Sequence, residues 1–161
     1  MVMKFSFCTQ KVSSNSALTY RCSWYIILTT VYFGYCHDRG KKISAAVFPG
    51  PSGAKKFVRQ EWDRWHLDEV MPMLYQNFYY GSLDWIRDET AEGINALPGA
   101  VPLYSGLYVP ALTPRELQSA ILKSIEGGAS GISLFNYESM THDHWEAMKA
   151  TLGITGRHGS K

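Results

Sequence analysis

Tyrosines recur in this chain where apolar runs give out. Tyr75 ends the run EVMPMLY, Tyr108 lies near the end of VPLYSGLYV and Tyr137 closes GISLFNY. Amides and further rings accompany them: Asn77 and Tyr79 follow the first, Asn136 precedes the third, and Glu138 comes directly after it. Aromatic faces pack against flat C–H surfaces while amides and phenols supply directed hydrogen bonds, a combination that suits a polyhydroxylated ring such as a sugar. A plainer reading is that each tyrosine stops its strand with an amphipathic residue at the water line, and both readings fit the residues. On the first, Tyr75, Asn77, Tyr79, Tyr108, Asn136 and Tyr137 are the candidate substrate-binding residues.

Cutting a glycosidic bond calls for two carboxyl groups about 5 to 10 Å apart. Glu138 is the candidate catalytic or substrate-binding carboxylate, with an exposed loop acid as the alternative; Asp84, close to the loop after Tyr80, is the second candidate. Glu61 and Asp63 fall in a helical pattern, and Asp68 and Glu69 stand where a strand begins, so all four are expected to point away from the strand ends that carry the tyrosines. Other templates are missing. There is no Gly-x-Ser-x-Gly elbow, no P-loop and no Gly-x-Gly-x-x-Gly after a strand, so no cofactor is implied. The stretch GGASG, residues 127–131, could be taken for the phosphate cradle of a small α/β enzyme acting on phosphorylated metabolites, but it precedes a strand, where a helix-to-strand turn needs glycine. No Cys or His spacing matches a zinc site, and His142 and His144, two residues apart, fall on different helical faces.

The elements that must position these residues show a rhythm from Lys42 onward. A small β-prone run, KISAAVF, breaks at PGPSG, and AKKFVRQEWDRW then carries Phe57, Val58, Glu61, Trp62 and Trp65 at helical spacing. After EVMPMLY, Ser82 is the expected N-cap of a helix reaching Leu97 and stopped by Pro98-Gly99. Thr113, Pro114 and Glu116 form a capping box ahead of a helix whose buried stripe is Leu117, Ala120, Ile121, Ser124 and Ile125. Thr141 is expected to cap a last helix through Trp145, Met148 and Leu152. Strand starts near Ile43, Val70, Val101 and Ile132 repeat every 27 to 31 residues or so, about the pitch of a unit in a (β/α) barrel of about 250 residues. Alternating strands and helices imply parallel pairing. A small doubly wound sheet is possible at this length, but prolines inside strands and glycines before them fit a curved barrel wall, so the expected fold is α/β, a parallel (β/α)4 half of a TIM-type barrel.

The segments GKKISAAVFPGP, VRQEWDRWHLDEVMPMLYQNFY, LYSGLYVP and GGASGISLFNYES resemble the second half of the glycosyl-hydrolase-like, family-10-like TIM-barrel proteins of Bacteroidetes type. The resemblance covers residues 37–154, about three quarters of the chain, and is most specific over residues 59–75, where Trp62, Trp65, Asp68, Pro72, Met73 and Tyr75 match. It implies that the four units are barrel strands five to eight, that the site lies at the C-terminal strand ends, and that a carbohydrate, oligo- or polysaccharide, is the partner. It also implies an exported or periplasmic setting, although no signal peptide is evident. Strands one to four have no counterpart, so the expected activity of the chain alone is nil. A non-catalytic carbohydrate-binding or self-assembling half-barrel, paired as a homo-oligomer through its open sheet edges, is the alternative.

Bulk properties narrow the classes further. At 161 residues, 45% hydrophobic and 19% charged, the chain has the composition of a globular domain, and a net charge of +2 with scattered lysines gives no nucleic-acid face. Cys8, Cys22 and Cys36 leave an odd thiol and imply no disulfide framework. Residues 1–36 do not resemble the family and are expected to be a leader, either joined by truncation or frame disruption or a natural part of a half-barrel. Within it the apolar run over residues 24–36 reads as a buried strand or helix, being short for a membrane span of about 20 residues; residues 155–161 read as a flexible tail.

Overall fold

The computed structural model describes residues 27–99 and 101–153, so the expected tail and the leader before residue 27 lie outside the described residues. Helix α1 covers residues 27–37. Strand β1 is Ser44–Val47, β2 is Glu69–Pro72, β3 is Tyr104–Tyr108 and β4 is Gly131–Phe135. Between β1 and β2 run α2, an α-turn over Pro51–Gly53 that widens to π geometry over Ala54–Val58, and a 3-10 turn at Trp62–Arg64. Helices α3 (Leu83–Ala96), α4 (Pro114–Glu126) and α5 (His142–Leu152) follow β2, β3 and β4, each preceded by a 3-10 turn at the strand end.

The chain is thus mixed α/β with parallel strands. β1 pairs with β2 from Ser44–Glu69 to Val47–Pro72, and β3 with β4 from Tyr104–Gly131 to Tyr108–Phe135. Two parallel bridges, Val70–Leu103 and Met73–Gly106, join these two-stranded sheets, so the four strands lie side by side in chain order and no closed barrel is formed among the described residues. Gly106 permits that junction, since a Cβ there would sit 2.7 Å from the Pro72 carbonyl oxygen. Pro72 ends the β2 ladder by lacking an N–H, and Met73 N–H resumes it by donating to Val47 O at 2.9 Å.

One face of each strand is packed under helices. Ala45, Val47, Val70 and Leu103 join Trp62, Trp65 and Leu67 in one core, with Phe33 and Cys36 of α1 against it. Leu74 and Leu107 join Ile86, Leu117 and Ile121 in a second, with Ile132 and Leu134 against it. Between the cores a buried polar tie links α3 to β3: Thr90 Oγ1 lies 2.9 Å from Ser105 Oγ and donates to Ile86 O. The described part of the apolar run, residues 27–36, is helical, with Ile27, Val31 and Tyr35 exposed.

Local signals set the helix starts. Ser82 Oγ accepts from Trp85 N–H, and the Thr113–Glu116 capping box is closed from both sides. Thr141 forms a second box with His144, whose Nδ1 accepts from Thr141 N–H while its Nε2–H donates to Leu112 O at 2.8 Å. His144 is buried by this double role. The region after β1 departs from expectation, because residues 54–65 do not form one helix. Arg59 turns the chain in the left-handed region, Gln60 Oε1 accepts from Phe48 N–H, and Trp62 is drawn into the core with its indole N–H on Phe48 O at 3.0 Å. These bonds to the strand outweigh the helical periodicity and leave Phe57 68% exposed.

Candidate functional site

Because side chains alternate along a strand, the residues between the core positions lie on the face without helices. On β2 these are Met71 and Met73, with Tyr75 continuing the series; on β3, Tyr104, Gly106 and Tyr108; on β4, Gly131, Ser133 and Phe135. At the C-terminal ends of these strands the rings meet. Tyr75 and Tyr108 have centroids 5.3 Å apart, Tyr108 and Phe135 stack at 6.1 Å with 16° between planes, and Phe78 from the turn after β2 stands edge-on to Tyr108 at 5.1 Å. Phe135 is 49% exposed and Phe78 is exposed as well, so the cluster opens to solvent. Burial, and then the neighbouring Tyr108, pushes the Tyr75 phenol above its usual range, which keeps the hydroxyl protonated and able both to donate and to accept.

A second group of rings lies toward β1. Phe48 meets Tyr79 edge-on at 5.3 Å and Tyr79 lies 5.4 Å from Trp85 at the start of α3. Beside it Gly50, at φ 48°, leaves space taken by the Glu89 carboxylate. Burial first, and then the charge of Glu92, raises the Glu89 carboxyl; Glu92 itself accepts from Ser52 N–H at 2.8 Å and so caps the short α2. An open depression of about 440 Å³ lies in the crease between α2 and α3, lined by Ser52, Lys55, Asp63, Glu92 and Asn95, and holds none of the expected site residues.

Of the residues predicted from sequence, Tyr75 and Tyr108 come together, and Tyr79 joins the adjoining rings. Asn77 is exposed in the turn after β2. Asn136 Oδ1 accepts from Ser139 Oγ at 2.6 Å, and Tyr137, 75% exposed, packs edge-on against Trp145 of α5. Glu138 is exposed in the turn at Tyr137–Ser139. Asp84 is engaged structurally: its carboxylate lies 3.0 Å from Lys123 Nζ of α4 and 3.4 Å from Arg87, and the hydrogen bond to Lys123 holds it below the usual range. Of the other acids weighed from sequence, Asp68 meets His37 and Ile43 N–H, Glu69 meets Lys42, Glu61 meets Lys55 and Arg64, and Asp63 lines the depression beside α2.

Phe78 and Phe135 fall at the same strand ends in the sequence but are not among the candidate binding residues, and both join the cluster. For Phe135 the signal was there, since it keeps step with Gly131 and Ser133 on the open face; Phe78 depends on a turn whose course no local pattern fixes. Gln76, at the same strand end, is not among the candidate binding residues either, and its Oε1 is buried with no hydrogen-bond partner among the described residues. Among the described residues no group of three His, Cys, Asp or Glu side chains is assembled that could hold a metal, and no helix is long and apolar enough to cross a membrane. Set against protein-family models, curated proteins and solved structures, the chain matches none.

Proposed function

We propose that this chain is the sugar-holding half of a TIM-type barrel, four βα units corresponding to strands five to eight of a glycoside hydrolase-like protein, and that alone it binds carbohydrate without cutting it. The observation that carries this reading is the ring cluster Tyr75, Phe78, Tyr108 and Phe135, drawn from the ends of three successive parallel strands and containing no carboxylate. Rings at that end of a parallel sheet are where barrel enzymes hold substrate. Parallel strands in chain order, with α3, α4 and α5 on one face, support the barrel-wall part of the reading. Glu138 is the remaining candidate acid, since Asp84 is tied to Lys123, and hydrolysis needs two carboxyl groups. The test is incubation with aryl glycosides and polysaccharides. Retention on at least one insoluble polysaccharide with no release of product is expected. Absence of retention on every polysaccharide tried, or turnover that vanishes in Glu138→Gln, would overturn the reading.

A further inference from the structure

Parallel sheets are covered on both faces, because their strands are apolar on both. Here one face lies under α3, α4 and α5, while the other carries Ala46, Met71, Met73, Tyr104, Tyr108 and Phe135 with no helix over it among the described residues. No charged side chain interrupts that face between the Lys42–Glu69 pair, 3.2 Å apart at one end, and the ring cluster at the other. Both outer strands are open as well, since among the described residues β1 pairs only with β2, and β4 with β3. Open edges and a bare apolar face are the features by which strands recruit further strands.

We infer that a second copy of this chain covers the bare face, β4 of each copy pairing with β1 of the other to close an eight-stranded parallel barrel. The inference rests on the half-barrel reading for its architecture and not on sugar binding. A two-fold axis along the barrel makes both joints alike, so the assembly closes instead of growing into a filament. Eight strands also give an interior that side chains just fill. Charge agrees in sign with the pairing: residues 48–68 after β1 carry four basic and three acidic side chains, and residues 136–153 after β4 carry three acidic and one basic. The face, four strands at about 4.8 Å and about five residues at 3.3 Å, spans on the order of 300 Å² in projection. A stable dimer needs about 800 Å² per copy, so the two strand edges and the helices beside them must supply more than the face itself. The ring clusters of the two copies then share one mouth.

Light scattering on the eluting full chain, at tens of micromolar, tests this. The expected mass is twice the 18.2 kDa of one chain. Met73→Lys and Ala46→Glu are expected to elute at the mass of one chain; Ala46 is exposed in the single copy, so that variant retains its helical circular dichroism even if Met73→Lys does not fold. Leu122→Lys, on the exposed side of α4, keeps the double mass. A single-chain mass for the unaltered protein, an open-ended series of larger species, or a dimer that survives Ala46→Glu and dissociates with Val31→Glu on α1 would overturn the inference. Polysaccharide retention by the monomeric Ala46→Glu variant leaves the sugar reading standing apart from the dimer; an intact dimer that retains no polysaccharide sinks the sugar reading alone.

Discussion

The two faces of the same four strands are built to different ends. On the helix side Val47, Val70, Leu74, Leu103 and Leu107 are fully buried in the two cores formed with the surrounding helices and turns. On the other side Ala46 and Phe135 are exposed and Met71, Met73, Tyr75 and Tyr108 are half covered. Neighbours such as Leu107 and Tyr108 therefore live in different surroundings though one peptide bond separates them. The difference places the stability of this chain on one face and leaves the rings of the other free to meet something outside it.

The largest losses are expected on the helix side. Trp62→Ala removes a buried indole, its hydrogen bond to Phe48 O and its contact with Gly93, and is expected to cost about 3 to 5 kcal/mol in denaturant unfolding. Leu107→Ala should cost about 2 to 5 kcal/mol, whereas Tyr108→Ala, on the half-open face, should cost under about 1 kcal/mol. Equal losses for that adjacent pair would mean that the faces are not different in kind. Thr113→Ala opens the capping box of α4 and should lower stability by about 1 kcal/mol, with Thr113→Ser restoring most of it.

The smallest effect is a matter of pH. Burial and Glu92 raise the Glu89 carboxyl, so the folded chain holds that proton more tightly than the unfolded chain does. Stability on this account falls as pH rises from the ordinary glutamate range through the raised value. Glu89→Gln is expected to melt higher than the unaltered chain at neutral pH, with the gap closing below about pH 4. A gap of the same size at both pH values would show that packing, and not the charge, is responsible.

What the sequence made legible was local. Ser82, Thr113 and Thr141 announce their helices because a cap needs only the next three residues. Gly127 and Gly128 mark the turn into β4 for a similar reason, and Gly127 is further required because a Cβ there would meet the Arg87 carbonyl oxygen at 2.7 Å. Residues 54–65 misled because their helical spacing competes with bonds to Phe48, which is distant in sequence. The site divides in the same way. Tyr75 and Tyr108 could be placed from strand alternation alone, but that Tyr137 turns to Trp145, that Asp84 is engaged by Lys123, and that His144 serves as a cap and a clamp all depend on contacts between elements.

On the function proposed above, the rings on the open face hold a sugar that this chain does not cut. Calorimetric titration of the unaltered chain and of Tyr108→Ala with soluble oligosaccharides, followed by reducing-end analysis of the same samples, tests it most directly. The account predicts saturable binding by the unaltered chain, at least a tenfold weakening in Tyr108→Ala, equivalent to about 1.4 kcal/mol, and no new reducing ends in either. Binding that is unchanged in Tyr108→Ala, or reducing ends that accumulate with the unaltered chain, would contradict it.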